Sequence, residues 1–294
     1  MSRSYWPLIL VLAAAWGASY LFIKVAVEGG LSPGALMAAR ALLAAIVLLG
    51  YLATTIGIRS ALAGLRASWR EAVFLGAFNA AVPFWLVAWG ETHIESGTAA
   101  IAQATVPIAS VVIGLPFLAH ERIGRVRGTG IGVGLIGVAV VAGIAPAGDA
   151  WAIAGTLAVV LASVSYAGAG VYGQLRVRGS SGPILAAGSM VLGGLMLLPL
   201  AVADAPDEVP TAKAIASLLA LTLIGTVVAQ LILFRTLRLF GARRQSLVAY
   251  LMPGFALLYG WLLLDESASA AELLGLGLIL VGVALGSGTV RLRR

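Results

Sequence analysis

The chain has 294 residues, of which 61% are hydrophobic and only 11% are charged, so it offers too little polar surface to coat a water-soluble globule of this size. Disorder, a collagen-like fibre and a disulfide scaffold are also excluded, because the chain is apolar, its 37 glycines follow no three-residue period and it has no cysteine. The net charge of +7 would indicate a nucleic-acid partner only if the cations formed a patch. The composition therefore predicts an integral membrane protein.

Ten apolar stretches are each long enough to cross a bilayer core about 30 Å thick as a helix. The connections between them are short, and none could bury a core of its own. In chain order the predicted spans are Pro7 to Val27, Ser32 to Ala53, Arg70 to Trp89, Ser96 to Ala119, Val126 to Ile144, Trp151 to Gln174, Pro183 to Ala203, Ala214 to Arg235, Gln245 to Leu264, and Ala270 to Gly288.

The distribution of basic residues predicts the orientation, because cytoplasmic loops collect lysine and arginine. Sixteen of the 19 basic residues fall on one side, thinly spread over six segments, so they indicate topology and no nucleic-acid partner. Both termini are then cytoplasmic. The external side holds the carboxylates of Glu28, Glu91, Glu95, Asp149, Asp204, Asp207, Glu208, Asp265, Glu266 and Glu272.

An internal repeat divides the chain into two five-helix halves, residues 1–147 and 148–294. At an offset of 145 residues Gly130 and Gly137 meet Gly275 and Gly282, and Glu121 meets Glu266. Because five is an odd number, the second half must enter the membrane from the opposite side. Inverted repeats are typical of secondary transporters, which hold their substrate near the midplane at the repeat interface.

Two prolines fall near the middle of predicted helices, Pro107 in the fourth and Pro253 in the ninth. Each removes a backbone hydrogen bond deep in the bilayer, so the pair predicts either a packing kink or a hinge of alternating access. The intramembrane cations are predicted to be structural: Lys24 snorkels, and Arg40 pairs with a carbonyl or with Glu28. Contact of Arg40 with the substrate is the alternative interpretation.

A central cavity is predicted from polar and aromatic side chains that lie at depth in the spans, where facing lipid would be costly. Interhelical hydrogen bonding and ordinary core packing are the competing interpretations for each of them. The candidate cavity residues are Trp16, Tyr20, Phe78, Asn79, Trp85, Gln103, Tyr166, Gln230 and Tyr250.

Helices 5 and 10 are glycine-rich and almost free of polar groups. Gly130 and Gly134, and likewise Gly282 and Gly286, have the small-xxx-small spacing that favours close helix packing. Residues Glu91, His93 and Glu95 are predicted to form a solvated external turn, and no carboxylate is expected at mid-depth in the spans.

The Trp16-Gly17-Ala18-Ser19 segment, Arg40, the two prolines, Glu121 and Glu266, and the glycine-rich helices together resemble the drug/metabolite transporter superfamily, and specifically its EamA-type ten-helix carriers. The chain is similar to bacterial exporters of amino acids, of which the YddG type handles aromatic amino acids. The resemblance implies helices 1–4 and 6–9 around a central cavity and helices 5 and 10 at the periphery. It departs from members that couple to protons through a glutamate at mid-depth in helix 1.

The function expected from the sequence is export of small metabolites, specifically aromatic or large apolar amino acids, by alternating access in a bacterial inner membrane. Broad drug or organic-cation efflux is the alternative, and a non-transporting sensor or assembly module is an alternative of a different class. No enzyme signature, metal cluster or cofactor motif stands out, so no cofactor and no metal are expected. A monomer and a homodimer remain equally open.

Overall fold

The computed structural model describes residues 5–117, 125–142, 149–177, 179, 181–206, 208–245 and 247–286. Throughout these ranges the secondary structure is helical, with no strand. The apolar helices are α1 Trp6–Glu28, α2 Pro33–Thr55, α3 Trp69–Glu91, α4 Ser96–Phe117, α5 Arg125–Val141, α6 Ala150–Arg176, α7 Gly182–Ala203, α8 Ala212–Phe240, α9 Leu247–Leu263 and α10 Ala270–Gly286.

Seven of these helices are long and apolar enough to cross a membrane, and α5, α9 and α10 are shorter apolar helices. The expectation of an all-helical membrane protein is therefore confirmed. Two short helices complete the described chain, Ile58–Ala67 before α3 and Ala242–Gln245 before α9. The first of them replaces a segment that the sequence predicted to be a plain connection.

Polar side chains fix where several helices begin. Ser32 accepts a hydrogen bond from the backbone N–H of Ala35 at the start of α2, and Thr211 caps α8 in the same way through Ala214. Asp149 accepts from the N–H of Trp151 at the start of α6. Each cap satisfies a backbone donor that the first helical turn leaves without a partner.

The two central prolines behave differently. In α4 the helix is interrupted at Ala104 and Thr105, and Pro107 lies in the first turn of the segment Val106–Gly114. In α9 the helix runs without interruption past Pro253, which is buried. The break in α4 follows from chemistry, because proline suits a first turn but cannot donate in a helix interior. Of the two helices predicted to kink at a proline, only α4 is thus interrupted.

Packing across the halves dominates the bundle. The main pairs are α1 with α9, α2 with α7, α3 with α6, α3 with α7, α4 with α6, α1 with α8, and α5 with α10, and α2 also packs on α8. Each helix of the first half corresponds to the helix five places along in the second half. When corresponding helices are exchanged, the pair α1–α9 becomes α6–α4, and the pair α3–α6 becomes α8–α1. The pairs α2–α7 and α5–α10 stay the same. The list of pairs is therefore symmetric with respect to the two halves.

Helices α5 and α10 pack closely on each other. A Cβ atom on Gly282 would lie 2.6 Å from the Cα atom of Gly134 and 2.7 Å from the carbonyl oxygen of Gly130, so only glycine fits at this crossing. Of the predicted packing glycines, Gly130, Gly134 and Gly282 thus lie at the crossing. The surroundings of Gly286 and of Glu121 lie outside the described part of the chain.

Candidate functional site

Arg40 lies inside the bundle at the junction of the two halves, with only 7% of its surface exposed. Its Nε donates to Thr226 Oγ1 of α8 at 2.9 Å, and its guanidinium carbon lies 3.9 Å from the ring centroid of Phe84 of α3. The predicted pairing with a carbonyl or with Glu28 is wrong, because a hydroxyl from the opposite half lies within reach and Glu28 is engaged elsewhere. The burial of Arg40 leaves a cation at the centre of the protein.

The hydroxyl that holds Arg40 belongs to a π-helical stretch. The segment Leu221–Val228 of α8 is a π-helix, and so is Ala77–Ala81 of α3. Thr226 lies in the first and Asn79 in the second, at nearly equivalent positions of the two halves. Such π-bulges shift the register of a helix and occur frequently at functional sites. The sequence analysis did not predict them.

Two of the predicted cavity aromatics, Tyr20 and Tyr166, lie near Arg40. Tyr20 is buried, and Trp16, Trp85 and Tyr166 pack against the same apolar cluster. Tyr20 and Tyr166 are also the tyrosines that interact electrostatically with Arg40. The Tyr20 hydroxyl contacts Met252 Sδ of α9 at 4.0 Å.

The other predicted cavity residues are dispersed. Phe78 is 43% exposed and continues a row of rings through Phe74 to Tyr172. Tyr250 packs against a separate apolar cluster around Ile101. Asn79, Gln103 and Gln230 are half-buried, and the side-chain oxygen of Gln103 is buried without a hydrogen-bond partner. Their role in a cavity stays a prediction.

Lys24 joins α1 to the end of α3. Its Nζ donates to the carbonyl oxygens of Glu91 and Ile94, both at 3.0 Å, and lies 3.5 Å from the carboxylate of Glu28. This is a fixed position with two backbone acceptors rather than the snorkelling that the sequence predicted. The cause is the turn after α3, which places free carbonyls at the level of Lys24.

Glu91 is the largest departure from the sequence analysis. It was predicted to lie in a solvated turn, but it forms the last residue of α3 and is 0% exposed. Neither of its carboxyl oxygens has a hydrogen-bond partner. The prediction of a solvated turn is therefore wrong for Glu91, because α3 extends two residues further than the hydropathy pattern indicated and α1 and α6 cover its end.

Carboxylates of the second half bind the first half at one end of the bundle. We call this end, which holds Glu28, Glu95, Asp204, Glu266 and Glu272, the acidic end. Glu266 accepts from the backbone N–H and the hydroxyl of Ser96 at 2.8 and 2.6 Å and from the N–H of Gly97 at 3.3 Å. Thr98 donates to Glu272. These carboxylates complete the helix start of α4, where anions are favourable.

A second pair of contacts binds α2 in the same manner. Asp204, at the end of α7, accepts from the hydroxyl of Ser32 at 3.1 Å and from the N–H of Gly34 at 3.0 Å. The N–H of Thr211 donates to the carbonyl of Gly29 at 2.9 Å. At the opposite, basic end, the described residues show ring contacts between the halves, of Arg244 and of Phe240 with Tyr5. Polar links between the halves thus close the acidic end.

This bundle of apolar helices, with polar groups converging between two halves, is that of a multi-pass membrane protein. The sequence profile of the EamA-like transporter family matches residues 4–143 and again residues 153–288. The chain therefore belongs to the EamA-like transporter family.

Individual relatives agree with this assignment. "Uncharacterized inner membrane transporter YedA" of Escherichia coli K12 is 29% identical over 283 residues, which cover 94% of this chain and 88% of YedA. An "Uncharacterized transporter" of Archaeoglobus fulgidus is 27% identical over 290 residues, or 95% and 96% of the two chains. A solved crystal structure matches 100% of both chains with a TM-score of 0.69 at 19% identity, which shows the fold. The protein is a multi-pass inner-membrane protein.

Proposed function

We propose that this transporter exports small metabolites, specifically amino acids with aromatic or large apolar side chains, by alternating access between its halves. The observation that carries the proposal is the buried guanidinium of Arg40, which lies beside Tyr20, Tyr166 and Phe84 and bridges to α8 through Thr226. A guanidinium is the side chain best suited to bind a carboxylate, and the neighbouring rings suit a flat apolar side chain.

Arg40 has capacity for such a ligand. Within the described residues its hydrogen-bond acceptors are Thr226 Oγ1 and Met37 Sδ, which engage Nε and Nη1. Arginine carries five N–H groups, so a substrate carboxylate would satisfy donors that the protein itself does not. The ring of Phe84, 3.9 Å from the guanidinium carbon, helps to hold the cation at this position.

Three observations support alternating access. The helix pairs are symmetric under exchange of the halves, the family profile matches each half separately, and polar links between the halves close the acidic end. We place the acidic end outside and both termini in the cytoplasm, because the arginines collect at the other end. The two halves are then inverted repeats, and this conformation is closed to the outside.

Efflux of organic cations is the second candidate, and one observation favours it. A buried carboxyl group, that of Glu91, lies on the same face of α3 as Phe84, two helical turns away. A cation requires such a group or an aromatic cage to replace its water. The two candidates therefore differ in which charged side chain the substrate meets.

Uptake into proteoliposomes of purified protein tests both. The panel contains radiolabelled amino acids and one organic cation, each tested with and without a proton gradient. The solute is supplied either inside or outside the vesicles, so that the direction of transport is measured. We expect saturable transport of aromatic and large apolar amino acids that falls in Arg40→Gln, Trp16→Ala and Asn79→Ala proteins. Tyr51→Ala, which changes an exposed aromatic residue of α2, is the matched control. Transport of the cation alone, or of no solute, would overturn the proposal.

A further inference from the structure

The carboxyl group of Glu91 has an environment that a permanently ionised group does not tolerate. It is fully buried, and neither oxygen accepts a hydrogen bond. An isolated carboxylate in such surroundings costs so much solvation energy that it takes up a proton instead. The conformation described here therefore holds Glu91 as a neutral carboxylic acid.

Tight packing excludes water from this position. The residue before it, Gly90, allows α3 to approach α6 so closely that a Cβ atom there would lie 2.9 Å from the carbonyl oxygen of Gly155. Phe84, Val87 and Ala88, which precede Glu91 on the same face of α3, are buried as well. The carboxyl group thus lies at the end of a dry helix face.

The charged and titratable groups around Glu91 come from several elements. Lys24 and Glu28 of α1, Arg40 of α2 and Glu266 before α10 interact electrostatically with its carboxyl group, and so does Tyr20. Lys24 has the largest electrostatic effect on Glu91 of the neighbouring charges. Its Nζ nevertheless contacts Glu28 and two carbonyl oxygens and not the carboxyl oxygens of Glu91. Arg40 is engaged by Thr226 and Phe84. Both cations are close, yet neither neutralises the carboxyl group by contact.

We propose that Glu91 is a proton-binding site that links protonation to the opening of the acidic end. When the links at Glu266 and Asp204 part, water reaches Glu91, the carboxylic acid transfers its proton to that water, and the carboxylate that remains faces Lys24. Closing the end again requires a proton from the water to return to Glu91. The inference deepens the carrier proposed above, since it names the ion that accompanies the conformational step.

The sign of the pH dependence separates this site from the other carboxylates of the acidic end. If Glu91 governs the step, a rise in pH favours the open form, because ionisation is unfavourable only when the end is closed. If the caps formed by Glu266 governed it, a fall in pH would favour the open form, because protonation removes the charge that binds Ser96. Ionisation of Glu95 favours the open form in the same way as ionisation of Glu91. Only the response of the Glu91→Gln protein therefore distinguishes these two carboxyl groups.

The experiment measures the distance between spin labels across the acidic end in lipid nanodiscs. The chain has no cysteine, so Thr92→Cys in the first half and Ser267→Cys in the second, both exposed positions, give two defined labels. We expect the ratio of long to short distances to rise with pH, by up to tenfold per pH unit for one proton. Glu91→Gln should stay closed at every pH, whereas Glu91→Asp should retain the dependence.

Glu71→Gln is the matched control, since Glu71 lies at the other end of the same helix, and it should behave as the unmodified protein does. A constant distance in the unmodified protein, opening on acidification, or an unchanged response in Glu91→Gln would each overturn the proposal. No solute is present in this measurement. A failure of the amino-acid panel is therefore distinguishable from a failure of the proton site.

Discussion

The carboxylate of Glu266 lies 2.8 Å from the backbone nitrogen of Ser96, although 170 residues separate them in the chain. One oxygen accepts that N–H, and the other accepts the hydroxyl of Ser96 and the N–H of Gly97. A group from one half thus performs the task that an N-cap residue performs within its own helix. Glu95, the residue at the N-cap position of α4, makes no side-chain cap. Helix α4 therefore depends on the second half for its start.

Replacing Glu266 by glutamine should weaken this closure. The amide keeps one acceptor oxygen but loses the charge, and we expect a loss of about 1–2 kcal/mol in the free energy that holds the acidic end closed. Thermal unfolding in nanodiscs and the Thr92–Ser267 label distance both measure it. Asp265→Asn, one residue earlier and exposed, is the control. Equal effects of the two variants would show that the cap contributes nothing.

Thr226→Val should disturb Arg40 without changing the volume of the side chain. The substitution removes the hydroxyl that accepts from Nε at 2.9 Å and leaves a buried charged donor without its partner. We expect a loss of stability of about 1–3 kcal/mol. We also expect weaker binding of any carboxylate solute, measured as a rise in the half-saturation concentration.

Thr222→Val provides the comparison for Thr226, because Thr222 is buried in the same π-helical stretch but donates only to the carbonyl of Leu218. It should leave half-saturation unchanged. If both valine variants changed it equally, the effect would come from the helix and not from Arg40.

Gly282→Leu should separate α5 from α10. The new side chain would occupy the space of the Gly134 backbone, and overpacking of this kind costs about 1–3 kcal/mol. Gly277→Leu in the same helix should be tolerated, since a Cβ atom there meets nothing within 4 Å. The melting temperatures of the two variants test this. A similar loss in both would contradict close packing at Gly134.

The side chain of Glu95 predicts a pH dependence of stability. Partial burial, and then repulsion from Glu266 and Glu272, raise the pKa of this carboxyl group, while Lys24 opposes the shift. A carboxyl group whose pKa is raised by folding stabilises the fold while protonated, and this contribution is lost as the pH rises through the raised value. Glu95→Gln should therefore match the unmodified protein in acid and exceed its melting temperature near neutral pH.

The control for Glu95 is Glu208→Gln, at an exposed carboxylate of the same end. Its melting temperature should follow that of the unmodified protein at every pH. A stabilisation by Glu208→Gln equal to that of Glu95→Gln would point to general charge reduction instead of the contacts around α4.

Hydropathy located the helices well, because burial in lipid imposes about 20 apolar residues on each span regardless of its neighbours. It failed at the end of α3, where it assigned Glu91 to solvent. Hydropathy counts a carboxylate as polar wherever it lies, and only the packing of α1 and α6 around that helix end determines its burial. The π-helical stretches were missed for a related reason, since no residue pattern in Ala77–Ala81 or Leu221–Val228 distinguishes them from α-helix.

The sequence by itself determined that the protein lies in lipid, where its helices lie and which family it belongs to, because each of these depends on composition and on local or repeated patterns. The tertiary structure alone decided the partners of the charged residues. Lys24, Arg40 and Glu266 bind groups up to 186 residues away in the chain, and such partners follow from how the helices cross. A charge inside a membrane is stable only with the particular neighbours that the crossing provides.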